Sequence, residues 1–214
     1  SKERMVLGMM DKKDIIYNMK TYGFCIIENY WDKEQCDTAL KQFLNLPRDV
    51  FETGQGGDLR CQFTNSYCRS AFDFLKDEFI QDIAKEYSRC HVADRVVGGI
   101  VHFNPEQEID SGGGWHVDSK IEAQFKSFMY LTDVGPDNGP FIFVQKSKAL
   151  AEDLPMYSNN RISQETIDEK FDSSDIIEIT GGAGTCVLAD STYVHRGKQI
   201  QSGTRCTFTT YFYE

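Results

Sequence analysis

The segment 112–118, GGGWHVD, contains two residues whose spacing suits a shared metal ion. In an extended chain the side chains of residues i and i+2 point to the same side, so His116 and Asp118 can reach one ion together. An Fe(II) centre that leaves positions open for a co-substrate and O₂ uses two histidines and one carboxylate. The segment supplies one histidine and the carboxylate. A lone His-x-Asp pair is also common by chance, and a surface pair would explain it as well.

His195 is the best candidate for the second histidine among the four in the chain. It ends the run 190–195, DSTYVH, after an apolar stretch typical of a strand, and Arg205 follows in an alternating pattern that also predicts a strand. The whole order is a glycine-rich approach, His-x-Asp, a long strand, a late histidine and a late arginine. This order favours a metal site over a surface pair.

His102, on the predicted strand 95–105, is the rival for that position. If the alternate apolar residues of 97–101 face one way, His102 faces the other way and would look toward the metal. It would then be a ligand or a contact to the co-substrate. A hydrogen-bonded core residue is the more common role of a strand histidine. We favour His195 as the ligand, because a His102 ligand would leave His195 and Arg205 unexplained as a set.

Helices are predicted at the N-terminal end of the chain and strands in the remainder. Apolar residues at steps of three and four predict helices at 11–22, 33–44 and 72–90. Gly23 would end the first helix, and Asp32 with Gln35 would form a capping box on the second. Apolar or alternating runs predict strands at 24–27, 95–105, 121–134, 141–144, 175–180, 184–189 and 204–213. Strands without strand-helix alternation predict a mainly β fold, a jelly roll whose N-terminal helices pack on one sheet.

The length of 214 residues is ordinary for one domain with a sizeable core, and we predict a single domain over 1–214. Residues 1–94 would form the helical and loop support, and residues 95–214 the β core. The polar, partly helical segment 146–172 is interpreted as an insertion that shapes the entrance to the site.

The composition limits the partners of the protein. With 33 acidic and 23 basic side chains, the net charge of −10 would repel a phosphate backbone, so we expect no nucleic-acid partner. An acidic surface does not exclude an anionic small substrate in a locally basic pocket. Seven cysteines without a Cys-x-x-Cys pair suit a reducing compartment, and no apolar run approaches a membrane span. We expect a cytoplasmic protein without membrane contact, either a monomer or a weak homodimer.

The loop 53–60 contains three glycines, but it lacks the Lys-Ser or Lys-Thr ending of a phosphate-binding P-loop. One interpretation is a loop at the mouth of the active site, with Arg60 available to a substrate anion. The other is a solvated loop in which Arg60 pairs with a surface carboxylate. Trp115, beside His116, is a second candidate for substrate contact.

Several stretches resemble one enzyme family. They are WHVDS at 115–119, FKSFMYLTDV at 125–134, NGPF at 138–141, SK at 147–148 and VHRG at 194–197, followed by Arg205. Together they resemble the phytanoyl-CoA dioxygenase-like branch of the Fe(II)/2-oxoglutarate-dependent oxygenases. The chain departs from that family at 145–148, where QKSK stands in place of the usual Pro-Gly-Ser-His. It also has Gly197 where some members have serine.

The resemblance implies a double-stranded β-helix, a jelly-roll or cupin-like barrel, that holds iron through His116, Asp118 and His195. It also implies that Arg205 pairs with the distal carboxylate of 2-oxoglutarate. A buried arginine needs such a partner, because an unpaired interior charge costs several kcal/mol. We expect O₂ to convert 2-oxoglutarate to succinate and CO₂ while a C–H bond of a small metabolite is hydroxylated. Asp118 favours hydroxylation, because halogenating relatives have a small residue there.

Further contacts to 2-oxoglutarate depend on which strand faces point inward. Thr207 shares a strand face with Arg205 and would add a hydroxyl contact. Tyr130 shares a face with Lys126, so Tyr130 would hydrogen-bond the co-substrate and Lys126 would be an alternative carboxylate anchor. His102 is a further candidate for a co-substrate contact.

Two other functions fit a jelly roll. A cupin-type metal enzyme, an isomerase or another dioxygenase, would use clustered histidines, but the His-x-His pattern is absent from the sequence. A non-catalytic sugar-binding jelly roll would need neither a buried Arg205 nor an inward-facing His-x-Asp pair, and it would be insensitive to chelators.

Overall fold

The computed structural model of the protein describes residues 10–54, 57–88, 93–106, 114–118, 125–148 and 161–213. The helices are α1 (Lys12–Tyr22), α2 (Lys33–Leu44), α3 (Arg69–Leu75), α4 (Glu78–Ser88) and α5 (Gln164–Lys170), with short 3₁₀ helices at Arg48–Val50, Thr64–Ser66 and Ser173–Asp175. The strands are β1 (Phe24–Ile27), β2 (Glu52–Thr53), β3 (Leu59–Cys61), β4 (Val96–His102), β5 (Phe125–Tyr130), β6 (Phe141–Val144), β7 (Ile176–Ile179), β8 (Cys186–Asp190), β9 (His195–Gly197) and β10 (Thr204–Phe212). None of the helices in these ranges has the length and apolarity needed to cross a membrane.

The strands form two antiparallel sheets. The large sheet has seven strands in the order β1-β8-β5-β10-β4-β3-β2, and the small sheet has three in the order β7-β6-β9. Aromatic and aliphatic side chains of both sheets meet in a shared cluster that includes Phe128 of β5 and Phe143 of β6. The predicted jelly roll, mainly β with supporting helices, is confirmed.

The first two helices begin and end where their sequence signals predict. The side chain of Asp11 accepts a hydrogen bond from the amide of Asp14 at the start of α1, and Gly23, with φ of 84°, ends that helix. Asp32 and Gln35 form the reciprocal capping box of α2. The chain therefore enters β1 directly after Gly23, where a left-handed backbone is available to glycine without strain.

The third predicted helix, 72–90, is divided. α3 ends at Leu75 and α4 begins at Glu78, and the carboxylate of Asp77 between them accepts hydrogen bonds from the amides of Phe79 and Ile80. A continuous apolar stripe conceals such a break, because the same residues face the core on both sides of it. Residues 89–92 lie outside the described ranges.

Helices α1 to α4 cover one face of the large sheet, as predicted. Phe208 of β10 is fully buried there, with ring centroids 5.4 Å from Phe43 of α2 and 6.4 Å from Trp31. Gly98 of β4 allows this close packing, because a Cβ at that position would overlap the ring of Phe43. The opposite face of the large sheet is left for the small sheet and for the space between them.

The outer face of the small sheet is covered by the second half of the predicted insertion 146–172. Ile167 of α5 and the nearby Ile162 are buried against Ile142 and Val144 of β6. Residues 149–160 of that segment lie outside the described ranges, so its predicted place at the entrance remains an expectation.

Candidate active site

His116 and His195 are brought together by backbone pairing. The amide of His116 donates to the carbonyl of His195 at 3.0 Å, and the amide of His195 donates back at 2.9 Å. Residues paired in this way present their side chains on the same face, so the two rings lie with centroids 4.4 Å apart. The segment that includes His116 thus adds a short edge to the small sheet next to β9.

Both rings are oriented by the carbonyl two residues earlier. Nδ1 of His116 lies 2.8 Å from the carbonyl oxygen of Gly114, and Nδ1 of His195 lies 2.8 Å from that of Tyr193. A carbonyl can only accept, so each Nδ1 carries the hydrogen and donates it. In the neutral form of each ring Nε2 is then the unprotonated nitrogen, and it is directed toward Asp118, in the tautomer that a metal ligand requires.

Asp118 completes the cluster. Its backbone amide donates to the carbonyl of Ser191, and its Oδ1 lies 3.4 Å from Nε2 of both His116 and His195. One possible ligand atom from each of the three residues lies within 4.8 Å of the others. Two imidazole nitrogens and one carboxylate oxygen at such distances can hold a metal ion, and they are the donor set of a 2-His-1-carboxylate iron site.

The electrostatics of the cluster favour an ionised Asp118 and a neutral His195. Burial alone would raise the pKa of Asp118, but Lys126 and the two histidines together hold it well below its ordinary value. Burial lowers the pKa of His195 to about 4, with Lys126 acting in the same direction. At neutral pH the cluster therefore contains an ionised carboxylate and a neutral His195 imidazole.

Lys126 of β5 lies against the same atoms. Its Nζ donates to Oδ2 of Asp118 at 3.0 Å and to Nε2 of His195 at 2.8 Å, and it lies 5.1 Å from the centre of the Phe141 ring. The side chain is only 7% exposed. The ammonium group thus interacts with two of the three residues that could hold a metal ion.

A cavity of about 400 Å³ extends from this cluster between the two sheets. Its wall on the large sheet consists of alternate residues of three neighbouring strands. They are Val97, Gly99 and Val101 of β4, Lys126, Phe128 and Tyr130 of β5, and Arg205, Thr207, Thr209 and Tyr211 of β10. Asp58, Arg60, Phe141, Arg161 and Gly197 complete the lining, together with the residues of 116–118 and His195.

Arg205 and Thr207 both line the cavity, on the face of β10 predicted for them. Arg205 is 9% exposed, and burial is the main reason that its pKa is lowered. In the register of the large sheet, Thr207 lies between Tyr130 on β5 and Gly99 on β4. An arginine and a hydroxyl thus line the same wall of the cavity, two positions apart on one strand.

Tyr130 also lines the cavity, but its hydroxyl group already has backbone partners. It donates to the carbonyl of Ile179 at 2.8 Å and accepts from the amide of Phe141 at 3.1 Å. Burial raises its pKa to about 12. The hydroxyl hydrogen is therefore committed to Ile179, and donating it to a co-substrate would require that bond to break.

Two sequence-based expectations about orientation are corrected. His102 lies at the exposed end of β4, outside the cavity, with Nδ1 2.8 Å from the hydroxyl of Thr204. The inward residues of β4 are instead Val97, Gly99 and Val101, because Ile100 faces the helix-covered core. Trp115 is buried in the core of the small sheet rather than in the cavity, and its Nε1 donates to Gln164 of α5.

Several cavity residues were not identified from the sequence. Thr209 and Tyr211 continue the alternation of Arg205 and Thr207, so a longer count along that strand would have found them. Arg161 reaches the cavity through a backbone bridge with His116, and Asp58 reaches it beside Arg60. No local pattern marks these two residues, because their positions depend on chain segments that are distant in sequence.

Comparisons with known proteins agree with this geometry. The model of the phytanoyl-CoA dioxygenase (PhyH) family matches residues 19–206. A comparison with curated proteins finds no significant sequence match.

Solved structures share the fold at low sequence identity. The epimerase SnoN of nogalamycin biosynthesis, in complex with Fe³⁺, α-ketoglutarate and nogalamycin RO, has a TM-score of 0.76 and 12% identity, over 95% of this chain and 83% of that one. The carbocyclase SnoK of the same biosynthesis has a TM-score of 0.71 and 14% identity, over 97% and 87%. HygX from Streptomyces hygroscopicus, with nickel, 2-oxoglutarate and hygromycin B bound, has a TM-score of 0.67 and 11% identity, over 94% and 86%.

Proposed function

Since the chain belongs to the phytanoyl-CoA dioxygenase (PhyH) family, we propose that it is an Fe(II)- and 2-oxoglutarate-dependent oxygenase that hydroxylates a C–H bond of a small molecule. Succinate and CO₂ would be the products from 2-oxoglutarate. The observation that supports this most directly is the placement of His116, Asp118 and His195, with one possible ligand atom from each within 4.8 Å of the others at one end of a cavity. A sugar-binding jelly roll would not need three inward-facing ligands of this type.

The two histidines would hold iron through Nε2, and Asp118 would hold it through its carboxylate. Each histidine directs Nε2 toward the cluster, because its Nδ1 hydrogen is donated to a backbone carbonyl. Iron bound here with 2-oxoglutarate and O₂ would supply the oxidative decarboxylation and the oxidation of the substrate C–H bond. The protein contributes the ligand orientation, and it excludes bulk water by burying His195 and Lys126.

Arg205 would bind the distal carboxylate of 2-oxoglutarate. A guanidinium group can make two parallel hydrogen bonds to a carboxylate, and burial makes such a partner more valuable, because the charge has little contact with water. Thr207, two positions further along the same face of β10, would donate its hydroxyl hydrogen to the same carboxylate. The structure offers no comparable place to His102, which lies outside the cavity.

The size of the cavity fits a small-molecule substrate. Ligand pockets commonly have volumes of about 300–1,000 Å³, and the present one has about 400 Å³. The similar structures of SnoN and HygX contain nogalamycin RO and hygromycin B. We further propose that one domain is sufficient for the reaction, because the two histidines come from the small sheet and its edge and the predicted co-substrate anchor Arg205 comes from the large sheet of the same barrel.

The first test is an anaerobic titration of Fe(II) and 2-oxoglutarate, followed by the visible charge-transfer band of an iron-bound 2-oxo acid. We expect a band that requires both components and disappears in Asp118→Ala. Asp37→Ala, which changes an exposed carboxylate of α2 paired with Lys33, is the matched control and should retain the band. Absence of the band in folded, metal-loaded wild-type protein would contradict the proposal, and so would a full band in Asp118→Ala.

The second test concerns the product. A panel of small polar metabolites would be incubated with the iron-loaded enzyme, 2-oxoglutarate and isotopically labelled O₂, and the products would be analysed by mass spectrometry. Hydroxylation predicts one labelled oxygen atom in the product for each succinate formed. A product isomeric with its substrate, or one that has lost two hydrogens, would instead indicate epimerisation or ring closure, as named for SnoN and SnoK. Turnover with lipid thioesters alone would exclude a small polar substrate.

A further inference from the structure

Arg60 of β3 also lines the cavity, and it lies two strands away from β10, the strand that carries Arg205. In the pairing of β3 with β4, Arg60 lies opposite Gly99, a residue of the cavity wall. Directly paired residues of neighbouring strands present their side chains on the same face. The adjacent Cys61 points to the helix-covered core and is buried there. The direction of Arg60 is therefore fixed by the register of the sheet.

A buried carboxylate fixes the guanidinium group of Arg60. Asp58 is 4% exposed, and its Oδ2 accepts a hydrogen bond from Nε of Arg60 at 2.5 Å. Oδ1 of Asp58 lies close to Gly54, whose amide donates to the carbonyl of Asp58. Burial alone would lower the pKa of Arg60, but the bond to Asp58 raises it. The side chain therefore remains a cation that is held in one orientation.

This arrangement occupies only Nε of the guanidinium group. Within the described part of the chain, the terminal nitrogens of Arg60 make no hydrogen bond. A fork of two N–H groups with a fixed plane is the arrangement that binds a carboxylate or phosphate oxygen pair. The side chain of Arg60 is 36% exposed, so a ligand can reach these terminal nitrogens.

Space is available between this fork and the rest of the site. Arg60, Gly99, Thr207 and Tyr130 form one row across β3, β4, β10 and β5. Gly99 has no side chain, so it leaves a trough between Arg60 and Thr207. Neighbouring strands are about 4.8 Å apart, so the Cα atoms of these two residues are separated by about 10 Å. Arg60 is therefore a separate anchor from Arg205, although its charge contributes to lowering the pKa of Arg205.

The net charge of the cavity lining also favours an anionic ligand. Four cationic side chains and two carboxylates line the cavity among the described residues, a balance of two positive charges. The protein as a whole has a net charge of −10. Fe(II) and the dianion 2-oxoglutarate cancel each other, so their binding leaves the balance unchanged. A carboxylate on the substrate would halve this balance, and a phosphate dianion would neutralise it.

Building on the proposed function, we propose that the substrate carries an anionic group, a carboxylate or a phosphate, that binds to the terminal nitrogens of Arg60. Asp58 is the positioning residue that holds the guanidinium plane. The anion would lie on the β3 side of the trough, while 2-oxoglutarate occupies the side of Arg205 and Thr207. The C–H bond to be oxidised would then be presented to the metal by a contact that is remote from the reacting atoms.

The test uses protein loaded with Mn(II), which holds the metal site without turnover, and saturated with 2-oxoglutarate. Inorganic phosphate and acetate are titrated separately, and binding is measured as paramagnetic broadening of the phosphorus or methyl-proton NMR signal. The two anions distinguish a phosphate site from a carboxylate site. The variants are Arg60→Met and Arg60→Lys. The control is Arg69→Met, because Arg69 also donates its Nε to a carboxylate, that of Asp73, but outside the cavity. The affinity for 2-oxoglutarate is measured in parallel for every variant.

We expect Arg60→Met to weaken the binding of at least one of the two anions about tenfold or more, with Arg69→Met and the 2-oxoglutarate affinity unchanged. Arg60→Lys retains the charge and loses the fork, so its anion affinity should lie between those of wild type and Arg60→Met. It decides the question if Arg60→Met does not fold.

Equal anion binding in wild type and both Arg60 variants would overturn the inference. Loss of 2-oxoglutarate binding in Arg60→Met would also overturn it, by making Arg60 the co-substrate anchor. If wild type does not bind 2-oxoglutarate, the proposed function fails, while anion titrations of the Mn(II) protein alone still test Arg60.

Discussion

The two faces of the large sheet differ in composition although they are built from alternate residues of the same strands. On β10, Phe208 and Phe212 face the helices and are fully or almost fully buried among apolar side chains. Arg205, Thr207 and Thr209 alternate with them and line the cavity. One face is completed by helices of the chain itself, whereas the other encloses a volume of about 400 Å³.

The difference assigns stability mainly to the helix face and ligand binding mainly to the cavity face. The helix face is closed by apolar contacts, whose contribution grows with the area removed from water and needs no ligand. The cavity face contains charged groups that are costly to bury, and a metal ion, a co-substrate and a substrate would supply counter-charges. Substitutions on the helix face should therefore change the free energy of unfolding, and those on the cavity face should change ligand affinity.

The largest effect is expected for Phe208→Ala. Removal of a fully buried aromatic ring that contacts Phe43 and Trp31 should lower the free energy of unfolding by about 3–5 kcal/mol. Thr209→Ala, the next residue on the opposite face, should cost less than about 1 kcal/mol. Denaturant titration of both variants measures the difference. Equal losses would mean that the cavity face contributes as much to stability as the core.

Arg205→Met should lower the affinity for 2-oxoglutarate without lowering the free energy of unfolding. Two charge-assisted hydrogen bonds of about 1.5 kcal/mol each correspond to a loss of about a hundredfold in 2-oxoglutarate affinity. The free energy of unfolding should stay constant or rise, because burial disfavours the charge and thereby lowers the pKa of Arg205. Calorimetric titration and denaturant unfolding provide the two numbers. A parallel loss of metal affinity would indicate a folding role for Arg205.

Gly98 and Gly99 are neighbours on β4 that face the helix side and the cavity side of the large sheet, so the two faces can be compared by the same substitution. A Cβ at Gly98 would overlap the Phe43 ring and the Thr64 hydroxyl, so Gly98→Ala should cost about 1–3 kcal/mol of stability. A Cβ at Gly99 would lie 3.1 Å from Oγ1 of Thr207, in the trough beside Arg60. Gly99→Ala should leave stability within about 1 kcal/mol of wild type and weaken anion binding. Thermal unfolding with the anion titration checks both, and equal destabilisation would contradict the assignment of faces.

Lys126→Met should have the smallest effect, on the affinity for the metal. The ammonium group donates to Nε2 of His195, an atom that the metal requires, so metal binding must break this bond. Its removal should tighten Mn(II) binding by about tenfold, the equivalent of one hydrogen bond to a charged group of about 1.5 kcal/mol. Electron paramagnetic resonance of free Mn(II) measures the affinity. Weaker binding in the variant would show instead that Lys126 orients Asp118 for the metal.

Local signals in the sequence predicted most of the fold. The ends of α1 and α2 follow from Asp11, Gly23 and the Asp32 capping box, because these hydrogen bonds lie within one turn of the helix. The division between α3 and α4 was missed, because it depends on Asp77 and not on the apolar stripe. The strand 121–134 was predicted, and the structure describes its central part as β5, while residues 121–124 lie outside the described ranges.

The sequence alone also determined the type of the candidate site. The spacing of His116 and Asp118, the late His195 and the alternation after Arg205 specify which donors are available, because residue type and strand period are local properties. Their chemistry, a carboxylate with two imidazoles and a separate arginine, could be stated before any contact was known.

Only the tertiary structure decided which residues meet. The strand period is symmetric between the two faces, so it could not tell whether His102 or its neighbours face inward; the helices packed against Ile100 decide that. Likewise, Lys126 contacts Asp118 because two sheets face each other, and Arg60 faces the cavity because β3 pairs it with Gly99 and Asp58 holds its Nε. Such contacts join residues far apart in sequence, whose distance depends on the packing of the whole chain.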